Sequence, residues 1–163
     1  MILSSRALLA GIVGVCLAAV AAALVSQHAF DMQPCPWCVL QRLIFALIAL
    51  AALLGLGWRS VPGQRSTASA ALLLSGAGIA AVLWQHFVAA SSVSCNLTLA
   101  DRIMNASGLP VLLPEVFEAR ATCADAAVSL LGLPYEFWGL ALFVAIEAAA
   151  VGLLLQARRA GPR

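Results

Sequence analysis

The chain has 163 residues, of which 63% are hydrophobic and only 10% are charged, and its formal net charge is +2. Roughly a quarter of the residues in a water-soluble domain are charged, so this composition excludes an ordinary soluble globular protein. The mean hydropathy of +1.01 indicates a membrane protein instead. We therefore expect the lipid bilayer, and no nucleic acid, among its partners.

Four long apolar stretches follow one another along the chain. Each approaches the ~20 residues that a helix needs to cross a hydrocarbon core of ~30 Å, and a helix satisfies its own backbone polar groups in lipid. We expect the first stretch to be a retained helix, because its apolar run is longer than the ~7–15 residues usual in a signal peptide. The sequence predicts an all-α membrane protein, a four-transmembrane-helix bundle forming a single integral membrane domain over residues 1–163. The predicted spans lie at about residues 7–26, 39–58, 68–90 and 137–157.

The first loop ends in the stretch PCPWCVLQR, which joins a Cys-x-x-Cys pair to an arginine at the mouth of the second span. A disulfide between Cys35 and Cys38 would close a ring too small to restrain the fold, and such pairs are typical redox couples. The N-terminus of a helix favours a thiolate, and Arg42 follows Cys38 by one helical turn on the same face. A charge at this depth usually marks a functional site. The alternative is that the guanidinium of Arg42 simply reaches up to the lipid headgroups.

The remaining cysteines divide between the first span and the second loop. Cys16 lies mid-span, where we expect a small buried apolar group. Cys95 and Cys123 lie in the second loop and make an even set with the first-loop pair, which suggests two disulfides or one exchanging network. A bond between Cys95 and Cys123 would also serve as a structural staple across 27 intervening residues. A zinc site of all four outer cysteines is poorly supported because the second pair lacks the usual ligand spacing, and we predict no metal.

Three ionisable side chains lie at or inside the other spans. His28 and His86 each follow a glutamine at the outer end of an odd-numbered span. A pair of such histidines could ligate a haem b, but we favour interfacial histidines, and the Cys-x-x-Cys-His signature of attached haem is absent. Glu147 is the one acid inside a span, where it either pairs with a polar group or is protonated.

The placement of the nine arginines predicts the orientation, since the chain has no lysine. Basic residues concentrate on the cytoplasmic side of membrane proteins. We therefore expect both termini and the second connection to be cytoplasmic, and the loops at about residues 27–38 and 91–135 to face outward. The six arginines expected inside are Arg6, Arg59, Arg65, Arg158, Arg159 and Arg163, and the other three are Arg42, Arg102 and Arg120.

Several of these segments, taken together, resemble one known family. They are CPWCVLQR, the QH dipeptide near the end of the first span, WQHF near the end of the third, and LPEVFEARATCADAAVSLLGLPYEFWGL. In this order they resemble the DsbB-type disulfide bond formation proteins from about Ser26 to Trp138. Pro36 and Trp37, inside the Cys-x-x-Cys motif, are this chain's own, and such variation alters a redox potential.

The resemblance implies a bundle in the bacterial inner membrane that reoxidises a periplasmic thiol oxidase of the DsbA type. The two electrons would pass to the membrane quinone pool, as ubiquinone or menaquinone. By position, Cys95 would form a mixed disulfide with the partner, and Cys123 would then bond transiently to Cys35. Cys38 would remain as a thiolate against the quinone. Arg42 would hold the quinone, and His86 is a second candidate for contact with it. The run from Leu109 to Phe117 would lie along the membrane surface.

Two other classes of function remain open from the sequence. A protein like the vitamin K epoxide reductases would share four helices, a Cys-x-x-Cys pair and a quinone, with a different order of cysteines. A non-catalytic four-span scaffold would use the outer cysteines only as staples. Consumption of quinone in the presence of a reduced thioredoxin-like protein would separate the scaffold from either enzyme.

Overall fold

Four long helices dominate the computed structural model of this protein, which describes residues 4–58, 60–91 and 98–159. All four are long and apolar enough to cross a membrane. This confirms the predicted fold class and identifies a multi-pass membrane protein. The helices are α1 (Ser5–Phe30), α2 (Pro36–Gly57), α3 (Val61–Trp84, continued by a π-helical turn at Gln85–Ala89), α4 (Leu99–Ser107), α5 (Leu109–Leu112), α6 (Pro114–Phe117) and α7 (Tyr135–Arg159).

Capping residues explain why the long helices extend beyond the apolar stretches. Ser60 caps α3 by accepting a hydrogen bond from the backbone of Gly63, and a proline follows in the first turn. Cys35 caps α2 in the same way, because its sulfur accepts from the N–H of Cys38. Side chains of this kind satisfy backbone donors that the first turn of a helix leaves free. Hydropathy senses the apolar core of a span and not its polar first turn, so α2 and α3 begin earlier than predicted.

The four long helices form a ring in which α1 packs on α2 and α7, and α3 packs on the same two helices. Glycines allow the closest approaches. A Cβ atom at Gly55 would lie 2.6 Å from the Cγ2 of Thr67, and one at Gly78 would overlap the ring of Phe143. That ring stacks on Phe45, with centroids 4.0 Å apart and planes 5° from parallel. Small residues thus bring the backbones together around an aromatic pair, as in other membrane bundles.

Three helix ends meet at one end of the ring. Ser5 donates a hydrogen bond to Gln156 at 2.8 Å, and Arg65 donates to the carbonyl of Ala157 at 2.9 Å. The start of α1, the start of α3 and the end of α7 therefore lie together. Cys16 is fully buried on α1, and Ser75 of α3 is hydrogen-bonded to Glu147 of α7 across the bundle.

The second loop folds back as a chain of short elements. Helix α4 begins in a capping box between Thr98 and Asp101 and ends at Gly108, whose φ of +69° favours glycine. Helices α5 and α6 form the run from Leu109 to Phe117, which contains two prolines. The large apolar side chains of Val111 and Leu112 are exposed there. A short antiparallel hairpin then leads into α7. It consists of β1 (Ser129–Leu130) and β2 (Leu133–Pro134), and the sequence did not predict it.

Candidate functional site

The Cys-x-x-Cys pair lies at the N-terminal end of α2. Cys35 is the capping residue and Cys38 is in the first turn, so the helix geometry itself brings the two sulfurs together. The sulfurs are 2.8 Å apart, and both residues are free thiols. A disulfide has a bond length of about 2.05 Å, so an oxidant that removed two electrons and two protons from the pair could close one with only a small approach of the sulfurs. The aligned peptide dipoles of α2 favour negative charge at this end.

Cys123 of the second loop reaches the same place. The N–H groups of Arg120 and Ala121 donate to the carbonyl of Pro34 at 2.9 and 3.2 Å, which ties the second loop to the first. Cys123 is buried and hydrogen-bonded to Cys35. Cys35 is hydrogen-bonded to both Cys123 and Cys38, and these contacts, which favour its protonated thiol, raise its pKa far above that of an ordinary thiol. Because the sulfur of Cys123 accepts the hydrogen bond from Cys35, its pKa is lowered.

A cavity of about 310 Å³ opens inside the bundle below these sulfurs. Cys38 lines it, and Cys35 and Cys123 lie outside it. Most of the walls are apolar, with a few polar side chains among them, which is typical of sites for small molecules. The lining residues include Gln33, Cys38, Gln41, Arg42, Phe45, Gln85, Tyr135, Glu136, Trp138 and Leu142.

Arg42 lines the cavity one helical turn below Cys38, and only 5% of it is exposed. Its Nη1 donates to Gln27 Oε1 at 2.7 Å and to the carbonyl of Val116 at 2.9 Å. Its Nη2 donates to the carbonyl of Ala23 at 3.3 Å. Among the residues that the structure describes, no carboxylate forms a salt bridge with this guanidinium. The cavity therefore contains a buried positive charge held by neutral oxygens.

Two glutamines position the sulfur of Cys38. Gln85 Nε2 donates to Cys38 Sγ at 3.4 Å, and Gln41 Nε2 donates to Gln85 Oε1 at 2.7 Å. Gln85 opens the π-helical turn at the end of α3. Such turns carry an extra residue and occur often at functional sites. Here the turn lets two consecutive side chains, Gln85 and His86, both reach partners inside the protein.

His86 itself is not among the residues that line the cavity. Its Nδ1 lies 2.8 Å from Glu136 Oε1, and Glu136 does line the cavity. His28 has a different carboxylate partner, since its Nε2 lies 3.8 Å from Glu115 in the second loop. Across the described ranges, no group of three or more His, Cys, Asp or Glu side chains is arranged to hold a metal ion.

The structure thus brings together most of the candidate residues from the sequence. Cys35, Cys38 and Cys123 are in contact, and Arg42 shares the cavity with Cys38. Cys95 lies outside the described residues. Sequence reasoning missed a group of polar side chains that hold these residues in place or line the cavity, namely Gln27, Gln41, Gln85, Tyr135 and Glu136. Glutamines near the ends of apolar spans were the available signal, because an amide in that position needs a partner.

Comparison with known proteins gives a consistent picture. The family model described as "Disulfide bond formation protein DsbB" matches residues 5–153. A disulfide bond formation protein B of Aromatoleum aromaticum is 31% identical over 159 residues, covering 95% of each chain. That of Herminiimonas arsenicoxydans is 34% identical over 145 residues, covering 88% of this chain and 90% of the relative. A disulfide bond formation protein B 1 of Pseudomonas syringae pv. syringae is 32% identical over 149 residues.

Proposed function

Because this chain belongs to the DsbB family of disulfide bond formation proteins, and is therefore a disulfide-forming oxidoreductase, we propose that it reoxidises a thiol oxidase of the DsbA type. We propose further that it passes the two electrons to a membrane quinone. The observation that carries this proposal is the contact of three sulfurs, Cys123, Cys35 and Cys38, the last of which lines the cavity. Disulfide exchange needs such contacts, since each step is an attack of a thiolate on a neighbouring sulfur.

The exchange begins with two disulfides, Cys95–Cys123 and Cys35–Cys38. A thiolate of the reduced partner attacks Cys95, which forms a mixed disulfide and releases Cys123 as a thiolate. Cys123 then attacks Cys35, which forms the bond between the loops and releases Cys38 as a thiolate at the cavity. The contact between Cys123 and Cys35 suits the second step, because it places the attacking sulfur beside the sulfur that it attacks.

The second half of the cycle restores both disulfides. The other thiol of the partner attacks the mixed disulfide, so that the partner leaves oxidised and Cys95 becomes a thiolate. Cys95 re-forms its bond with Cys123 and releases Cys35. Cys35 and Cys38 then close their disulfide as one electron pair leaves the protein. The partner has lost two electrons and two protons in total, and the acceptor gains the electrons.

The residues around the cavity fit a quinone as that acceptor. Arg42 uses three of its five N–H donors on protein oxygens, which leaves donors for a quinone oxygen. Phe45, Leu142 and Trp138 offer apolar surface for a ring. Gln33 lines the cavity, and its buried oxygen Oε1 has no hydrogen-bond partner in the described part of the chain, so this amide offers an acceptor for a quinol hydroxyl. When bound, the quinone supplies the oxidising power for disulfide formation.

The test is steady-state reduction of a soluble ubiquinone or menaquinone analogue by purified protein in detergent, with a reduced DsbA-type protein as electron donor. We expect the quinone absorbance to fall in proportion to the thiols oxidised. Cys38→Ser should abolish the reaction, whereas Cys16→Ser, which changes a cysteine outside the exchange, should leave it intact. Thiol oxidation without quinone consumption by the unaltered protein would refute the proposal.

We also propose that the protein lies in the bacterial inner membrane with the arginine-rich end of the bundle in the cytoplasm. Ser60 and Ser91 are exposed at opposite ends of α3 and its π-helical turn. Ser91→Cys should add labelling by a membrane-impermeant thiol reagent in cells with a permeabilised outer membrane, and Ser60→Cys should add none. The reverse pattern would invert the orientation.

A further inference from the structure

One ionisable pair at the cavity has no part in the exchange of disulfides. Glu136, in the first turn of α7, lines the cavity, and its side chain is only 7% exposed. Its Oε1 lies 2.8 Å from Nδ1 of His86, whose side chain is 30% exposed. The rings of Phe87 and Phe137 flank the histidine, with centroids 4.8 and 4.7 Å from its own. Glu136 therefore lies at the cavity wall, and its partner His86 is the more accessible of the two, at the loop end of the bundle.

The cavity needs such a connection because electron transfer alone does not complete the proposed reaction. Reduction of a quinone to a quinol takes two electrons and two protons. The electrons come from the thiols by way of Cys38, but the thiol protons are released in the outer loops. Inside a membrane protein, chains of Asp, Glu and His commonly carry protons to such sites.

The other ionisable groups that line the cavity are poorly placed for this task. Arg42 does not give up its proton in proteins, and Cys38 is the electron donor. The hydroxyl of Tyr135 lies 3.0 Å from Ser26 Oγ, which donates to the carbonyl of Ala22. After Tyr135 this hydrogen-bonded chain contains no further titratable group that could supply a proton. Gln41 and Gln85 do not titrate. Glu136 is the one carboxyl group among the described residues that line the cavity.

We propose that Glu136 and His86 form a proton relay that delivers protons to the quinone oxygens at the cavity. In each step Glu136 gives its proton to an oxygen of the acceptor and becomes a carboxylate. The imidazolium of His86 then passes a proton across the 2.8 Å contact to Glu136, and water at the loop end reprotonates the imidazole. Two such steps, with the electron pair from the thiols, convert one quinone into one quinol. This inference rests on the proposed function.

The variants Glu136→Gln and His86→Gln test the relay. The matched controls are Glu118→Gln in the second loop and His28→Gln in the last turn of α1. Three quantities are measured for each protein: disulfide exchange with the partner, quinone affinity from the quenching of tryptophan fluorescence, and quinol formation in a single turnover. A general acid typically contributes 10²–10⁴-fold to a rate. We expect quinol formation about 100-fold slower in Glu136→Gln and at least about tenfold slower in His86→Gln. Exchange, affinity and both controls should change less than about twofold.

Chemical rescue gives a readout that a purely structural pair would not move. Added formate or acetate should accelerate quinol formation by Glu136→Gln, because a small acid can take the place of the lost carboxyl group, and should not accelerate Glu118→Gln. Normal quinol formation in both relay variants would overturn the relay, and so would a loss explained entirely by weaker quinone binding or by unfolding. Failure of the unaltered protein to reduce quinone would refute the proposed function itself, which is a separate result.

Discussion

Replacement of Arg42 by methionine is the most informative perturbation of the cavity. Methionine keeps much of the apolar length of the side chain, but it removes the positive charge and all the N–H donors. Gln27 Oε1 and the carbonyl of Val116 lose the donors that hold them at 2.7 and 2.9 Å. The sulfur of Cys38 and the oxygens of a bound quinone lose the nearest fixed cation. We expect exchange with the thiol partner to continue and electron transfer to quinone to fail.

The expected size of the effect follows from the helix. Four residues of α2 advance about 6 Å along its axis. At that separation, with an effective dielectric constant of about 20, a positive and a negative charge attract by about 3 kcal/mol. Since about 1.4 kcal/mol corresponds to a factor of ten, quinone reduction by Arg42→Met should be about 100-fold slower. Leaving two buried acceptors unpaired costs a further ~1–3 kcal/mol each in the free energy of unfolding. Arg42→Lys keeps the charge without the planar guanidinium, so its rate of quinone reduction should lie between those of the unaltered protein and Arg42→Met.

The assay follows quinone absorbance at steady state and partner oxidation in a single turnover, side by side. Arg42→Met should lower kcat/KM for quinone and raise its KM, while the partner's first oxidation stays close to the normal rate. Arg102 is exposed on α4 and does not line the cavity, so Arg102→Met is the matched control. Unchanged quinone kinetics in Arg42→Met would show that this arginine only supports the fold.

Three further predictions concern the sulfurs and the packing. With a partner that lacks its own second thiol, Cys123→Ser should accumulate a mixed disulfide through Cys95, whereas Cys95→Ser should accumulate little. Equal amounts of mixed disulfide on a non-reducing gel would mean that the two roles are misassigned. In the fully reduced protein, iodoacetamide should modify Cys123 down to a lower pH than it modifies Cys35, because the lowered pKa keeps Cys123 ionised and the raised pKa keeps Cys35 protonated. In Cys35→Ala the profile of Cys123 should move to higher pH, and a profile that does not move would contradict the hydrogen bond. Gly78→Ala should lower the unfolding free energy by about 1–3 kcal/mol through overlap with Phe143, while Gly76→Ala, where a Cβ meets no atom within 4 Å, should not lower it.

The sequence was sufficient for the spans and for the residues with strong chemical signals. Apolar runs of about 20 residues identify membrane helices because no other backbone form is stable in lipid. Cys35, Cys38 and Arg42 stand out because thiols at a helix end and a charge at the mouth of a span are unusual. These signals reside in residue type and spacing, which a single sequence displays directly.

The rest of the site depends on contacts that residue type does not display. Arg42 is held partly by the backbone carbonyls of Ala23 and Val116, and any residue carries such a group. The π-helical turn that lets both Gln85 and His86 reach interior partners breaks the regular period on which helical faces are read. Glu136 lies just before the predicted fourth span, where an acid is ordinary because negative charge is favoured in the first turn of a helix. Its position beside the cavity emerges only when α3 and α7 pack together.

The contact of Cys35 with both Cys38 and Cys123 restricts which disulfides can exist at the same time. A sulfur atom can take part in only one disulfide, so a bond from Cys35 to one neighbour always excludes a bond from Cys35 to the other. Cys123 of the outer loop and Cys38 at the cavity consequently cannot both be bonded to Cys35 at the same moment, and in the proposed exchange every electron pair that moves between them passes through this one sulfur. In the proposed exchange Cys35 is therefore the one sulfur shared by the loop pair and the cavity pair, and its removal would leave Cys38 without the partner of its disulfide.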